Sequence, residues 1–283
     1  MNSTRFLKRV LITVLIIYIA IGLFLFFSQK SLLYFPTNQN FNDCIGFENY
    51  EKLNYNGTRF YFKEDTLKDN IIVYYHGNAG SACDRSAFKS VFEEGNSSVI
   101  FVEYAGYSND NKNNPSRDLI LQDVENMYSY VEEENFQEVL VYGKSIGSGA
   151  ASYHAYLGNV DYLILTTPFS SLEDVAQSKY IIYPANLILQ EKYNNINWLK
   201  NYNNSFLIVH GDSDRVIPHY FSQELFEEVS TIDKNYILIE NRGHNDIWFS
   251  FEFKKAISQF INKSFNKSFN NDFNNTYKNG TKE

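Results

Sequence analysis

The sequence predicts an α/β fold: a mostly parallel central sheet flanked by helices. Three observations lead there. Six short apolar runs rich in β-branched and aromatic residues occur in succession, at 70–77, 98–106, 138–145, 161–169, 205–212 and 235–241. None alternates polar with apolar residues, which is the pattern of strands buried on both faces. Longer stretches fall among them, at 116–134, 146–157, 219–229 and 246–262, each long enough for a helix. Repeated β-α units imply parallel strands joined by right-handed crossovers.

Ahead of these units, Asn56-Gly57 marks a tight turn, and "RFYFKED" after it reads as one strand of an opening hairpin. One interval breaks the rhythm. From Ser171 to Asn204 no strand pattern occurs, and the segment is helical in spacing and rich in aromatics. A structureless loop of that length is foreign to a compact domain, so a small helical lid over about 171–204 is expected. An ordinary crossover carrying an extra helix is the plainer alternative.

The two ends are different material. Arg5, Lys8 and Arg9 precede an uncharged run from Val10 to Phe27, and Lys30 follows it. As a helix the run spans roughly 27 Å, close to the hydrocarbon thickness of a bilayer. A cleaved signal peptide is the competing reading, but the run is long for one. The bulky "FFSQKSLLYFP" after it offers no small-residue cleavage site. The expectation is an anchor over 1–29, with the N-terminus cytoplasmic and the rest of the chain on the outer or lumenal side. The body is then 30–263, and the Asn-rich 264–283 is expected to be a disordered tail. Triplets of the N-x-S/T type, such as Asn56-Gly57-Thr58, are expected by chance in so Asn-rich a chain.

Composition narrows the function. With 283 residues, 44% hydrophobic and 17% aromatic, the chain can build one large core. Its net charge of −8, with lysine and arginine scattered, speaks against nucleic acid as a partner. Cys44 and Cys83 form no C-x-x-C, so zinc and dithiol motifs are absent. The two can pair in an oxidising compartment, but two free thiols are the expectation.

The chemistry centres on "VYGKSIGSGA", residues 141–150. Gly143-Lys144-Ser145 is the end of a phosphate-binding loop, and Gly143 to Gly147 is also G-x-S-x-G. The phosphate loop requires glycine at position 138, where this chain has Glu138, and a loop where it has the strand Val139–Tyr142. That reading fails. The other needs a strand, a sharp turn and a small-residue helix, and all three are in place. Ser145 then stands at the carboxyl edge of the sheet, where open parallel sheets put their sites.

A lone elbow is weak evidence, but its partners follow in the order this chemistry uses. Asp214 and His244 each come just after a strand, at the same edge as Ser145. His244 is the candidate base that takes the serine proton, and Asp214 the acid that fixes the imidazole tautomer. Asp212 competes for the acid role, although a turn cap suits it better. "HGNAGS", 76–81, is the candidate oxyanion turn. It would offer the N–H of Asn78, with the N–H of Ile146 as second donor. His76 and His210 read as turn supports, and His154 and His219 as ordinary helix positions. No i, i+4 histidine pair with an acid occurs, so no metal or cofactor is expected. Asp246 reads as the N-cap of the last helix. Lys144 is either solvated or placed to meet an anionic head group.

Together "HGNAGS", "EYAGYS", "GKSIGSG", "TPFSSLEDVA", "LIVHGDSDRVIP" and "GHND" resemble the α/β-hydrolase superfamily, and within it the membrane-anchored Bem-type and α/β-hydrolase-domain serine hydrolases. The resemblance covers about residues 31 to 262. It implies an α/β-hydrolase fold behind an N-terminal transmembrane helix, with Ser145, Asp214 and His244 as catalytic triad and Asn78 and Ile146 as oxyanion donors. Ala105, and Cys83 in place of a more basic residue, depart from the family pattern, which bears on substrate preference and not on the triad. The implied reaction is hydrolysis of a carboxylic ester or thioester of an acyl chain through an acyl-enzyme. A peptidase or small-ester esterase on the same triad, and a non-catalytic anchored scaffold, are the alternatives.

Overall fold

The computed structural model describes residues 3–65, 70–93, 97–110 and 112–265. The chain opens with α1 (Ser3–Leu33), a helix of 31 residues. Ten strands follow: β1 Phe35–Pro36, β2 Glu51–Tyr55, β3 Thr58–Lys63, β4 Asn70–Tyr75, β5 Ala79–Gly80, β6 Ser98–Glu103, β7 Glu138–Lys144, β8 Tyr162–Thr166, β9 Ser205–Gly211 and β10 Lys234–Ile239. The remaining α-helices are α2 Lys89–Glu93, α3 Arg117–Glu134, α4 Gly147–Leu157, α5 Leu172–Lys179, α6 Ala185–Ile188, α7 Asn195–Leu199, α8 Tyr220–Glu228 and α9 Phe251–Phe265.

Eight strands form one sheet in the order β10-β9-β8-β7-β4-β6-β3-β2. The six strands from β10 to β6 are mutually parallel, and they are the six apolar runs. The hairpin β2-β3 closes one edge antiparallel, turning at Asn56 and Gly57, both with positive φ. Such φ values at both central residues suit the right-handed twist of the flanking strands.

Burial on both faces explains why the strands do not alternate. Ile71, Val73, Val139 and Val141 meet α3 and α4 through Ile120, Val124, Met127 and Ala151. Ile72, Tyr74, Leu140 and Tyr142 face the opposite way, toward Phe92, Phe253, Ile257 and Phe260 of α2 and α9. Ser116 starts α3 by accepting the Leu119 N–H, and Asn135 ends it in the left-handed conformation. Both are residue types suited to those ends.

The chain moves from β4 to β6 on one side and then returns to β7 on the other. The carboxyl ends of β4 and β7 therefore flank the point where strand order reverses, which is where open α/β sheets form a crevice. Over this edge lies the helical insertion 171–204, carrying α5, α6 and α7 and no strand.

Three expectations need correction. Cys44 and Cys83 are joined in a disulfide, with Cα atoms 5.7 Å apart, and are not free thiols. The bond ties the short 3₁₀ turns before β2 to the segment after the His76–Ser81 turn, two places that no local spacing relates. Asp246 does not cap the last helix: its carboxylate accepts the Gly243 N–H at 2.7 Å, and Ser250 accepts the Phe253 N–H in the first turn of α9. Finally, α9 continues to Phe265, past the expected boundary at 263, and the rest of the expected tail lies outside the described residues.

Candidate active site

Ser145 follows β7 with φ +54°, the left-handed region that a non-glycine residue occupies only when its surroundings impose it. The surroundings here are specific. The Ser145 N–H is held by the Thr166 carbonyl of β8 at 3.0 Å. A Cβ on Gly143 would strike the Gly147 backbone and Ala151, and one on Gly147 would strike the Tyr75 and His76 carbonyls. Strand β7, helix α4 and the end of β4 thus meet at van der Waals distance, and only glycine fits between them.

His244 follows β10 and reaches Ser145 from the neighbouring side of the crevice. Its Nε2 lies 2.9 Å from Ser145 Oγ, and its Nδ1 lies 2.7 Å from Asp214 Oδ2. Asp214 is buried and accepts four hydrogen bonds. Oδ1 takes the Val216 and Ile217 N–H groups, and Oδ2 takes His244 and His210. Burial by itself would raise this carboxyl, but the bonds from His210 and His244 outweigh it and hold Asp214 well below the usual carboxylate range. An ionised acceptor opposite Nδ1 requires that nitrogen to carry its proton, so Nε2 presents a lone pair to the serine hydroxyl. Burial likewise lowers the His244 pKa; Lys144 and His210 act in the same direction, against Asp214.

Asp212 does not enter this network; its carboxylate accepts the Ser213 hydroxyl at the surface. His210 contributes more than turn support, because its Nε2 sits 2.9 Å from the Ile217 carbonyl and 3.2 Å from Asp214. Sequence reasoning missed that contact, although an i, i+4 spacing across the turn from His210 to Asp214 was a signal for it.

The turn after β4 is held from below. His76 Nδ1 donates to the Gly77 carbonyl at 2.7 Å, while its Nε2 stands 3.5 Å from Glu103, both side chains fully buried. Tyr107 donates to the Asn78 carbonyl, and Asn78 Nδ2 donates to Leu33 at the end of α1. Among the described residues, the N–H groups of Asn78 and Ile146 have no acceptor within the chain. Both residues line the same cavity as Ser145. Lys144 is not solvated: it is buried beside the elbow, 4.9 Å from the centre of the Trp248 ring. Burial first, and the Arg85 charge second, push its pKa down to about 7. His219 begins α8, and His154 is buried in α4 against the Tyr75 hydroxyl. Among the described residues, no cluster of three or more His, Cys, Asp or Glu side chains is arranged to hold a metal ion.

From Ser145 a cavity of about 340 Å³ runs outward, and its walls are mostly apolar. The helical insertion supplies Leu172, Val175, Tyr183 and Ile188, and the N-terminal helix supplies Leu25, Gln29, Leu32 and Leu33.

Solved structures share this architecture. An esterase from Pyrococcus furiosus superposes with a TM-score of 0.64, covering 82% of this chain and 98% of its own, at 14% identity. Est1E from Butyrivibrio proteoclasticus, solved with ferulic acid, gives 0.59 over 76% and 98%, also at 14% identity. A deep-sea metagenomic α/β hydrolase, MGS-M2, gives 0.58 over 76% and 97%, at 15% identity.

The chain has the α/β-hydrolase fold.

No protein-family model matches this chain. Among curated relatives, YfhR of Escherichia coli O157:H7 is 29% identical over 184 residues, 62% of this chain and 63% of that protein. Human ABHD12B is 25% identical over 197 residues, 58% of this chain and 51% of its own length. The alignments thus span less than two thirds of these relatives. In this fold the Ser145–His244–Asp214 chain of hydrogen bonds occupies the crevice at the strand-order reversal.

Proposed function

We propose that this protein is a membrane-anchored serine hydrolase that cleaves a carboxylic ester or thioester of an acyl chain. The observation that carries the reading is the cavity: it begins at Ser145, continues between apolar walls, and takes part of its lining from α1. Such a wall suits a hydrocarbon chain, whose burial contributes roughly 0.8 kcal/mol per CH₂.

In this reading His244 removes the Ser145 proton as Oγ attacks the carbonyl carbon. Asp214 stabilises the imidazolium that forms. The free N–H groups of Asn78 and Ile146 donate to the developing oxyanion, each contributing about 2.7–4 kcal/mol to the transition state. His244 then protonates the leaving group. In the second half it activates water, which releases the acyl-enzyme as free acid.

The anchor reading has its own support. Among the described residues α1 is the one helix long and apolar enough to cross a membrane, and none of its apolar stretch is buried by the rest of the chain. Its last turns wall the cavity, so cleavage as a signal peptide would remove part of the site. The disulfide suits a catalytic domain on the outer or lumenal side. The insertion 171–204 serves as the lid.

A series of p-nitrophenyl esters from acetyl to palmitoyl, with matching acyl-thioesters and aminoacyl amides, tests the substrate class. The expected result is a rise in kcat/KM with chain length up to the capacity of the cavity. Fastest turnover of aminoacyl amides would make the protein a peptidase instead.

A further inference from the structure

The lid carries a stretch that the hydrolytic chemistry does not use. From Tyr180 to Gln190 the chain reads "YIIYPANLILQ", with no charged residue, between Lys179 and Glu191. At its tip Ile181 is 79% exposed, Ile182 70% and Leu187 75%. Three large aliphatic side chains so close together form an apolar surface that water does not favour.

This surface is continuous with α1. The Tyr18 and Tyr183 rings stack with centroids 4.7 Å apart, and Tyr183 also covers Gly22. The Tyr18 hydroxyl donates to the Ile182 carbonyl at 2.8 Å, and the Tyr183 hydroxyl donates to the Tyr18 carbonyl at 3.1 Å. Further along, Gln29 accepts the Gln190 and Glu191 N–H groups. From Gln29 back to Tyr18 is roughly 16 Å of helix axis. The lid tip therefore lies beside the middle of the apolar run Val10–Phe27, well away from the charged flanks of α1. Part of its backbone already has partners within the chain. The Ile181 carbonyl accepts from Gln177 Nε2, the Ile182 carbonyl accepts from Tyr18, and the Ala185 N–H donates to Gln177 Oε1. Chain inside hydrocarbon needs such internal partners because no water is there to supply them.

We propose that the Tyr180–Gln190 tip of the lid is inserted in the hydrocarbon of the leaflet that surrounds α1, so that the seam between lid and α1 is a lateral portal. The occupant of this surface is the phospholipid bilayer. An acyl chain passes from the leaflet into the cavity without crossing water, and its carbonyl reaches Ser145 at the inner end. The portal rests on the acyl-ester reading of the site, and the insertion on the membrane-anchor reading of α1.

The test uses the full-length chain in phosphatidylcholine vesicles. The native cysteines are paired, so a single added cysteine carries an environment-sensitive fluorophore, at Ile182→Cys or, as reference, at Ile232→Cys. Ile232 is fully exposed beyond the opposite edge of the sheet. Doxyl-labelled phosphatidylcholine is expected to quench the first probe and leave the second unchanged. This readout needs no turnover, so it survives even if no ester is hydrolysed. An unquenched probe at 182 overturns insertion, and one shielded only as protein density in the vesicle rises would assign the surface to a second copy.

The portal is read separately with Ile181→Asp/Ile182→Asp. Hydrolysis of a vesicle-borne long-chain ester should fall at least about ten-fold, because charge is excluded from hydrocarbon. Turnover of a water-soluble acetyl ester should stay within about two-fold of wild type. Equal loss on both substrates, or loss on neither, overturns the portal.

Discussion

The side-chain oxygen of Gln29, near the end of the N-terminal helix, lies 2.6 Å from the backbone nitrogen of Gln190 in the lid. The same oxygen accepts the Glu191 N–H at 3.2 Å, and Gln29 Nε2 donates to the Phe26 carbonyl. Glu191 in turn accepts the Tyr34 hydroxyl and the Arg117 N–H. One buried amide thus joins α1 to the helical insertion, and the insertion to the body.

Gln29→Leu keeps the volume and removes the acceptor. Two N–H groups then lose their acceptor, and the buried one, of Glu191, costs about 1–3 kcal/mol unpaired. The lid should loosen from α1, and limited proteolysis in detergent should cut within 180–192 faster than in wild type. An unchanged cleavage pattern would show that the packing of Tyr183 and Leu189 holds the lid without Gln29.

Asp214 and Asp212 stand two residues apart, and only the first reaches His244. Asp214→Asn places a donor or a neutral acceptor opposite Nδ1 and disturbs the imidazole tautomer. Ester turnover should fall on the order of 10³–10⁴-fold. Asp212→Asn should leave kcat within about two-fold, since surface substitutions away from such features cost little. Comparable losses in the two variants would contradict the assignment.

The pH dependence follows from signs. His244 must be neutral to act as base, and burial, assisted by Lys144 and His210, holds its pKa below 6.5. Activity should therefore persist below pH 6.5 and fall only as His244 protonates. Lys144, itself held down to about 7, still carries its charge over that acid limb. Lys144→Met removes one of the charges that depress His244, so the acid limb of kcat/KM should move to higher pH. A shift to lower pH would mean that Lys144 acts through Asp214 instead.

The Cys44–Cys83 bond closes a loop with a sequence separation of 39. In the chain-entropy model a loop of that size contributes about 4 kcal/mol. Reduction, or the double variant Cys44→Ser/Cys83→Ser, should lower Tm by several degrees in detergent. Equal Tm with and without reductant would remove the bond from the account of stability.

How legible the fold and site were depends on how local each signal is. Six apolar runs without alternation announced six parallel strands: double-sided burial is written into five of them separately, while β10 at the sheet edge is only half-buried. Ser145 was legible because its turn demands small neighbours at Gly143 and Gly147 within the same few residues. Asp214 and His244 were legible from their positions after strands. The Cys44–Cys83 bond was not, since two cysteines so far apart carry no spacing rule. Nor was the burial of Lys144, which depends on Trp248, a residue distant in sequence. The role of Gln29 was hidden for a related reason. The apolar run before it shows only length and hydropathy, and nothing in it reports that the last turns of α1 also wall a cavity.

In the proposed reaction Ser145 is a nucleophile activated by His244. The most direct measurement of that role is labelling of the full-length protein in membranes by a fluorophosphonate probe. Covalent labelling of the wild type is expected, blocked by prior heat denaturation and absent in Ser145→Ala. A folded wild-type protein that takes up no label, or equal labelling of Ser145→Ala, would contradict it.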